Sequence, residues 1–182
     1  MADNFRGTAE YMRIFERIEK AVKAFPARIA VVAVNFSKER FVKKNWQNVY
    51  AKTWTPTRKR KGSTLVASGR LKRSIRKIRV TPSQVVIGTD VPYARIHNEG
   101  GEIAGTETVR THTRRQHRRR SHTRKGKRIK ATTIKPYRVK PFSRKYKRKF
   151  VQRQFIGQSQ VLNGRIDNLI KSELDKAITS LK

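Results

Sequence analysis

The stretch that decides the fold is residues 68–101, SGRLKRSIRKIRVTPSQVVIGTDVPYARIHNEGG. It reads, in order, as a helical turn, two strands and a second helical turn. Ser68 is a favourable N-cap for the first turn, in which Leu71 and Ile75 lie four residues apart on one face. Everything else in the chain is attached to this block.

The middle of the block predicts an antiparallel hairpin over residues 75–88. Ile78 and Val80 alternate with two basic residues, which is typical of a strand with one buried and one wet face. Thr81-Pro82-Ser83-Gln84 interrupts this pattern, and residues 85–87 are the returning strand.

The end of the block predicts a second helical turn. Pro92 suits a first helical position, and Tyr93 and Ile96 share a face. Gly100 and Gly101 supply the left-handed backbone that ends a helix. The block therefore ends in a sharp change of chain direction.

Two helices are predicted before the block. Residues 1–8 have no periodic pattern and are expected to fray. An amphipathic helix runs from Tyr11 to Pro26, which punctuates it, and residues 27–41 form a second, more apolar helix. A strand is the alternative for residues 29–34, which are rich in β-branched side chains.

After these helices, Trp46 and Trp54 are predicted core or interface anchors, and residues 57–63 form a basic loop. A C-terminal helix, which Ser159 would cap, carries one apolar stripe. The stripe consists of Leu162, Ile166, Leu169, Ile170, Leu174, Ala177, Ile178 and Leu181. These elements predict an α+β fold, a small antiparallel sheet packed by N-terminal helices and a C-terminal helix.

The chain has 182 residues and a formal net charge of +34, so self-repulsion opposes a compact state unless a polyanion compensates it. Residues 105–153 hold twenty Lys or Arg and one acidic residue, Glu107, a net +19 that leaves +15 elsewhere. The predicted division is a domain of residues 1–104 and 150–182 with an inserted basic arm, residues 105–149.

Residues 110–128 of the arm contain few apolar side chains, which predicts a mobile segment. Residues 129–133 alternate weakly and predict a strand, opposite residues 103–109, that would make the insert a long β-arm with a disordered tip. Pro136 and Pro141 impose an extended path on the chain that follows.

The arm has the composition of a phosphate-binding segment, and a solvated charge run is the alternative. Tyr137, Phe142 and Tyr146 could stack on bases or pack on the arm itself. The candidate DNA- or polyanion-binding residues are Arg114, Arg115, Arg118, Arg119, Arg120, Arg124, Lys125, Lys127, Arg128, Arg144, Lys145, Lys147 and Arg148. The polyanion is either nucleic acid or the acidic surface of another protein.

No enzyme, cofactor or metal is expected. His112, His117 and His122 recur every five residues, a spacing that puts them on different faces of a helix or strand, among arginines that would repel a cation. His97 has no nucleophile or second acid at a recognisable spacing. The chain has no cysteine, and its longest apolar run is too short to span a bilayer, so no membrane partner is expected.

Two short motifs flank the block: Trp54-Thr55-Pro56 lies before it, and residues 153–157, RQFIG, lie after it. With the block between them, they resemble, in the same order, the pattern of the phage virion morphogenesis, or tail-completion, family. The resemblance covers roughly residues 10–104 and 150–181, whereas the family's segment between them is usually short. The motif residues, with an expected structural role, are Trp54, Gly69, Leu71, Ser74, Tyr93, His97, Gly100, Gly101, Phe155 and Gly157.

This resemblance implies a structural protein of the phage neck, a tail-terminator subunit that forms a ring of six or twelve copies. Its partners would be the tail tube, the head-side connector proteins and, through the arm, genomic DNA. A head-side stopper ring is one alternative, and a basic nucleic-acid-binding protein of ribosomal or chromatin type is another. The protein would be made in the host cytoplasm and reside in the virion.

Overall fold

The computed structural model describes residues 2–57 and 63–179. The chain forms two compact units: Met1–Gly101 with Phe150–Lys182, here called the body, and Glu102–Lys149, here called the arm. Helices and small antiparallel two-stranded sheets are both present, which confirms the predicted α+β class. Residues 58–62, most of the predicted basic loop, lie outside the described residues, as does Leu181.

The body contains helices α1 (Ala2–Lys43), α2 (Arg70–Ser74), α3 (Ala94–Glu99) and α4 (Gln160–Thr179). The prediction of two N-terminal helices is wrong, because α1 continues through Pro26 and also includes residues 2–8. A proline inside a helix costs about 3 kcal/mol. Burial of the following face, at Ala30, Ala33 and Phe36, offsets that cost. The alternative strand over residues 29–34 is wrong, because these residues are helical.

The strands of the body are β1 (Asn45–Gln47) with β2 (Ala51–Thr53), and β3 (Arg76–Val80) with β4 (Val85–Gly88). The predicted hairpin is confirmed. The predicted buried face of β3 is wrong, because Ile78 is 55% exposed and Val80 39% exposed. The register shifts between Lys77 and Arg79, so Ile78 is an extra residue that breaks the alternation of faces.

The two helical turns of the block are present with shifted starts. Gly69 in the left-handed conformation, rather than Ser68, is the N-cap of α2, and Tyr93, rather than a helical Pro92, precedes α3. The left-handed exit at Gly100 is confirmed, with a φ of 76°. A Cβ on Gly100 would also lie 2.9 Å from the backbone nitrogen of Gln152, so this position requires glycine twice over.

The core of the body joins segments that are distant in the sequence. Its buried members are Phe41, Trp54, Leu71, Ile75, Val91, Ala94 and Phe155. The Phe41 ring lies edge-to-face on Trp54, with centroids 5.5 Å apart, and packs 5.0 Å from the Phe155 ring. Trp46 and Trp54 are both buried, as predicted, and so are Leu71 and Ile75.

The chain that returns from the arm, residues 150–157, is here called the closing segment. Asn98 Oδ1 accepts hydrogen bonds from the backbone N–H groups of Phe155, at 2.9 Å, and Ile156, at 3.0 Å. The Arg153 N–H donates to the carbonyl of His97, and Trp54 Nε1 donates to the carbonyl of Gln154. The closing segment, which follows the arm in the sequence, is therefore held by side chains and backbone of residues that precede the arm.

Helix α4 packs on the C-terminal half of α1. Ser159 Oγ accepts the N–H of Leu162 at 3.2 Å, which confirms the predicted cap. Arg165 forms an ion pair with Glu39 at 2.8 Å, and Arg28 pairs with Glu173 further along the two helices. The predicted stripe is half-buried or buried from Leu162 to Ala177, but Ile178 is 51% exposed, so its assignment to the packed face is wrong.

Arg40 is fully buried where α1 meets β1. Its Nη1 donates to Asn45 Oδ1 at 3.1 Å and to Gln47 Oε1 at 3.0 Å, and its guanidinium stacks on the Phe36 ring. Nη2 lies 3.0 Å from Glu39 Oε2 without hydrogen-bond geometry, so that contact acts through charge alone. A buried cation is stable here because polar partners surround it.

The arm is built entirely of short strands: β5 (Gly101–Val109), β6 (His112–Arg114), β7 (His117–Arg119), β8 (His122–Arg124), β9 (Lys127–Ile129), β10 (Thr132–Ile134), β11 (Tyr137–Val139) and β12 (Phe142–Phe150). Residues 110–128, for which the sequence predicts a mobile segment with a disordered tip, contain strands β6, β7 and β8 and the start of β9. The predicted pairing of residues 129–133 with 103–109 is wrong, because β10 pairs with β7, and β5 with β12.

In the described part of the chain, no helix is long and apolar enough to cross a membrane.

Replacing residues 107–148 by a short flexible linker should leave the body folded. The buried apolar residues lie between Ala30 and Ala94 or between Phe155 and Ala177, all outside the replaced segment. We expect cooperative thermal unfolding and a dispersed NMR spectrum. A molten or insoluble product would contradict the independence of the body.

Asn98→Ala should destabilise the body by about 1–3 kcal/mol, because it leaves two backbone N–H groups of the closing segment without their acceptor. The measurement is chemical denaturation of the full chain. Glu99→Ala is the control, since Glu99 forms an exposed ion pair with Arg95 and its loss should change stability little. Equal effects of the two substitutions would contradict the role of Asn98.

Acid should weaken the contact between α1 and α4. The hydrogen bond from Arg165, followed by one from Lys43, lowers the pKa of Glu39 to about 2 despite partial burial. A lowered carboxylate pKa stabilises the fold above the unfolded pKa near 4.5, and this contribution is lost as the pH falls toward 2. Between these pH values the wild type should lose on the order of 1–3 kcal/mol more than Glu39→Gln; parallel pH profiles would contradict this.

Candidate functional site: a basic β-arm

Residues 110–141 of the arm, here called the ribbon, keep one antiparallel register throughout. His112 lies opposite Val139, His117 opposite Ile134, and His122 opposite Ile129. Each step advances by five residues on both strands. The three separate ladders are therefore sections of a single two-stranded ribbon that turns at Lys125 and Gly126.

The same five-residue period is present in the sequence. A basic residue occurs at every fifth position, namely Arg110, Arg115, Arg120, Lys125, Lys130, Lys135, Lys140 and Lys145. In the ribbon, three paired residues alternate with two unpaired ones, and the repeated basic residues fall in the unpaired steps or the turn. The histidine spacing alone did not predict this repeat. The positions of Lys and Arg show it, because a basic residue recurs every five residues.

The three histidines occupy equivalent positions in the repeat. Nδ1 of His112, His117 and His122 lies 3.0, 3.1 and 3.3 Å from the carbonyl oxygen two residues earlier. Val139, Ile134 and Ile129, opposite them, are half-buried on a ribbon whose side chains are mostly exposed. Each repeat thus places one imidazole opposite one half-buried aliphatic side chain.

Charge divides the arm into two parts. In the stem, formed by β5 and β12, Glu102 pairs with Lys147 at 2.8 Å, and Glu107 pairs with Arg144 and with Arg148. The ribbon contains fourteen Lys or Arg and no acidic residue. Its positive charge is therefore not neutralised from within the arm.

The predicted polyanion-binding residues fall into these two parts. Ion pairs with the stem carboxylates Glu102 and Glu107 involve Arg144, Lys147 and Arg148. Lys145 also lies in the stem. The ribbon holds Arg114, Arg115, Arg118, Arg119, Arg120, Arg124, Lys125, Lys127 and Arg128, all of them exposed. Of these, Arg114 donates to the hydroxyl of Tyr137, the residue opposite it.

The predicted motif residues lie in the body, where they shape the fold. Trp54, Leu71 and Phe155 are core members. Ser74 Oγ donates to the carbonyl of Leu71 and shares a hydrogen bond with Thr89 Oγ1. A positive φ angle explains the glycine at four further positions, Gly69, Gly100, Gly101 and Gly157.

Tyr93 and His97 line a cleft of about 630 Å³ that residues 63–71 and Arg153 also border. The His97 ring lies edge-to-face against Tyr93 and Phe150, and its Nδ1 is buried without a hydrogen-bond partner. Burial, followed by the charge of Arg153, lowers the pKa of His97. The described lining contains no carboxylate that could act with a neutral imidazole as an acid–base pair.

The sequence matches the phage virion morphogenesis family over residues 44–175. The match begins directly after α1, later than the resemblance noted from residue 10, and it runs through the arm. No curated protein and no solved structure gives a significant match. Because the matched residues make up most of the chain, the protein belongs to the phage virion morphogenesis family.

Proposed function

We propose that this protein is a tail-completion subunit of the phage neck, where identical copies form a closed ring that joins the tail to the head. Membership of the virion morphogenesis family supports a structural role in the particle. The observation that carries the ring is an exposed apolar surface on α1. A subunit that acts by assembly needs such surfaces in its isolated state.

The N-terminal part of α1 extends past its partner helix. Arg28 pairs with Glu173, and the described part of α4 continues for only six more residues, to Thr179. Since the two helices are antiparallel, α4 reaches about as far as Val22. Beyond that point Tyr11, Met12 and Phe15 are 66, 62 and 66% exposed.

A second apolar surface lies on the β3–β4 hairpin, where Ile78 and Val80 are exposed. Both strands also have a free edge, because they form a two-stranded sheet. A closed ring built by heterologous contacts requires two different surfaces on each subunit. We assign the α1 face and the hairpin edge to these two roles, so that α1 of one copy packs on the hairpin of the next.

Replacing Tyr11 and Phe15 together by serine should abolish ring formation and leave the monomer folded, because neither side chain belongs to the core. Native mass spectrometry should show a discrete multimer, of six or twelve copies, for the wild type and a monomer for the variant. Arg13→Ser with Glu16→Ser, on exposed polar positions of the same helix segment, is the control and should keep the multimer.

Particles assembled without the protein test its position in the virion. Electron microscopy should then show tails of uncontrolled length or tails that never join heads. A wild-type monomer at all concentrations would overturn the ring, and normal infectious particles without the protein would overturn the tail-completion role.

A further inference from the structure

We infer that the ribbon, residues 110–141, is a binding surface for the backbone of duplex DNA. The inference concerns the arm alone and does not depend on where in the particle the protein lies. The ribbon contains fourteen Lys or Arg and no acidic residue, and the inference makes DNA phosphates the anionic partners of these cations.

The first step is the placement of charge. Stem cations Arg144, Lys147 and Arg148 are already bound to Glu102 or Glu107, so a phosphate would have to compete with those carboxylates. Ribbon cations such as Arg118 and Arg119 are exposed and meet uncharged threonines across the strand pair, Thr133 and Thr132. Among the described residues, binding a polyanion on the ribbon breaks no ion pair.

The second step is shape. A two-stranded antiparallel ribbon fits the major groove of B-DNA, which is about 12 Å wide. Residues 110–125 can extend at most about 50 Å, enough to follow several phosphates on each side of the groove. Backbone pairing in a constant register holds this length as one ribbon.

The third step is the repeat. Basic residues recur every five positions along both strands, a spacing of about 16 Å on an extended chain. Regularly spaced charge along both edges suits a backbone that carries one charge per about 1.7 Å of its axis, whatever its sequence. The ribbon should therefore bind DNA without sequence preference.

Two variants of the full-length protein lose the same charge from different parts of the arm. The first is Arg118→Gln, Arg119→Gln and Arg120→Gln, in the ribbon. The second is Arg144→Gln, Lys147→Gln and Arg148→Gln, in the stem. Each removes three positive charges, so net charge is matched, and thermal unfolding of both verifies that they are folded.

Binding to a duplex of random sequence is measured between about 50 and 200 mM salt. Contact with six to ten phosphates predicts a loss of roughly a thousandfold or more in wild-type affinity over this range. The ribbon variant should reduce the slope of log affinity against log salt by about 2 to 3, and the stem variant should reduce it by less than about 1. Equal slopes for the ribbon variant and the wild type would overturn the inference.

Poly-glutamate distinguishes duplex DNA from an acidic protein surface. At equal charge concentration it should compete poorly for the ribbon, because it lacks a groove of fixed width. Competition as strong as that of unlabelled duplex would overturn DNA as the partner and favour an acidic protein. Loss of DNA binding in both triple variants to the same extent would also overturn it, because binding would then follow net charge alone.

Discussion

The body depends on the hydrogen bonds that Asn98 accepts from Phe155 and Ile156. These residues are more than fifty positions apart in the sequence, and the whole arm lies between them. The bonds place Phe155 against Phe41, where the core closes. Because the entropy of closing a loop rises only slowly with its length, a body closed in this way tolerates a long insertion.

The body and the arm are stabilised by different interactions. The body is held by buried aromatic rings, by the hydrogen bonds of the buried Arg40 guanidinium to Asn45 and Gln47, and by the contacts between α1 and α4. The arm has no comparable core and carries charge that opposes compaction. Its ribbon is held by backbone pairing in a constant register, so bound polyanion would add to its stability by mass action.

Local signals predicted much of the body. Glycine at the end of α3, serine before α4 and the apolar spacing of Leu71 and Ile75 each act within a few residues, where sequence rules are strongest. The helix was wrongly predicted to end at Pro26, because packing of the residues that follow outweighs the local cost of a proline. The extra residue at Ile78 could not be predicted, since it depends on the pairing of β3 with β4.

The arm was harder to predict for a physical reason. Low hydrophobicity usually indicates a chain that cannot offset its ordering entropy, but backbone pairing in a constant register needs little apolar surface. The ion pairs of Arg144 and Arg148 with Glu107 likewise depend on the pairing of β5 with β12, which no local pattern reveals. Composition identified the charge of the site, whereas topology divides it into a stem with internal ion pairs and a ribbon without acidic residues.

A high-resolution cryo-EM reconstruction of the intact particle tests most directly whether the protein joins head and tail as a ring. The expected density is a closed ring of copies at the head–tail junction, with α1 of each copy against the β3–β4 hairpin of its neighbour. Copies found only on the capsid surface or along the tail tube, or bodies that do not touch one another, would contradict this.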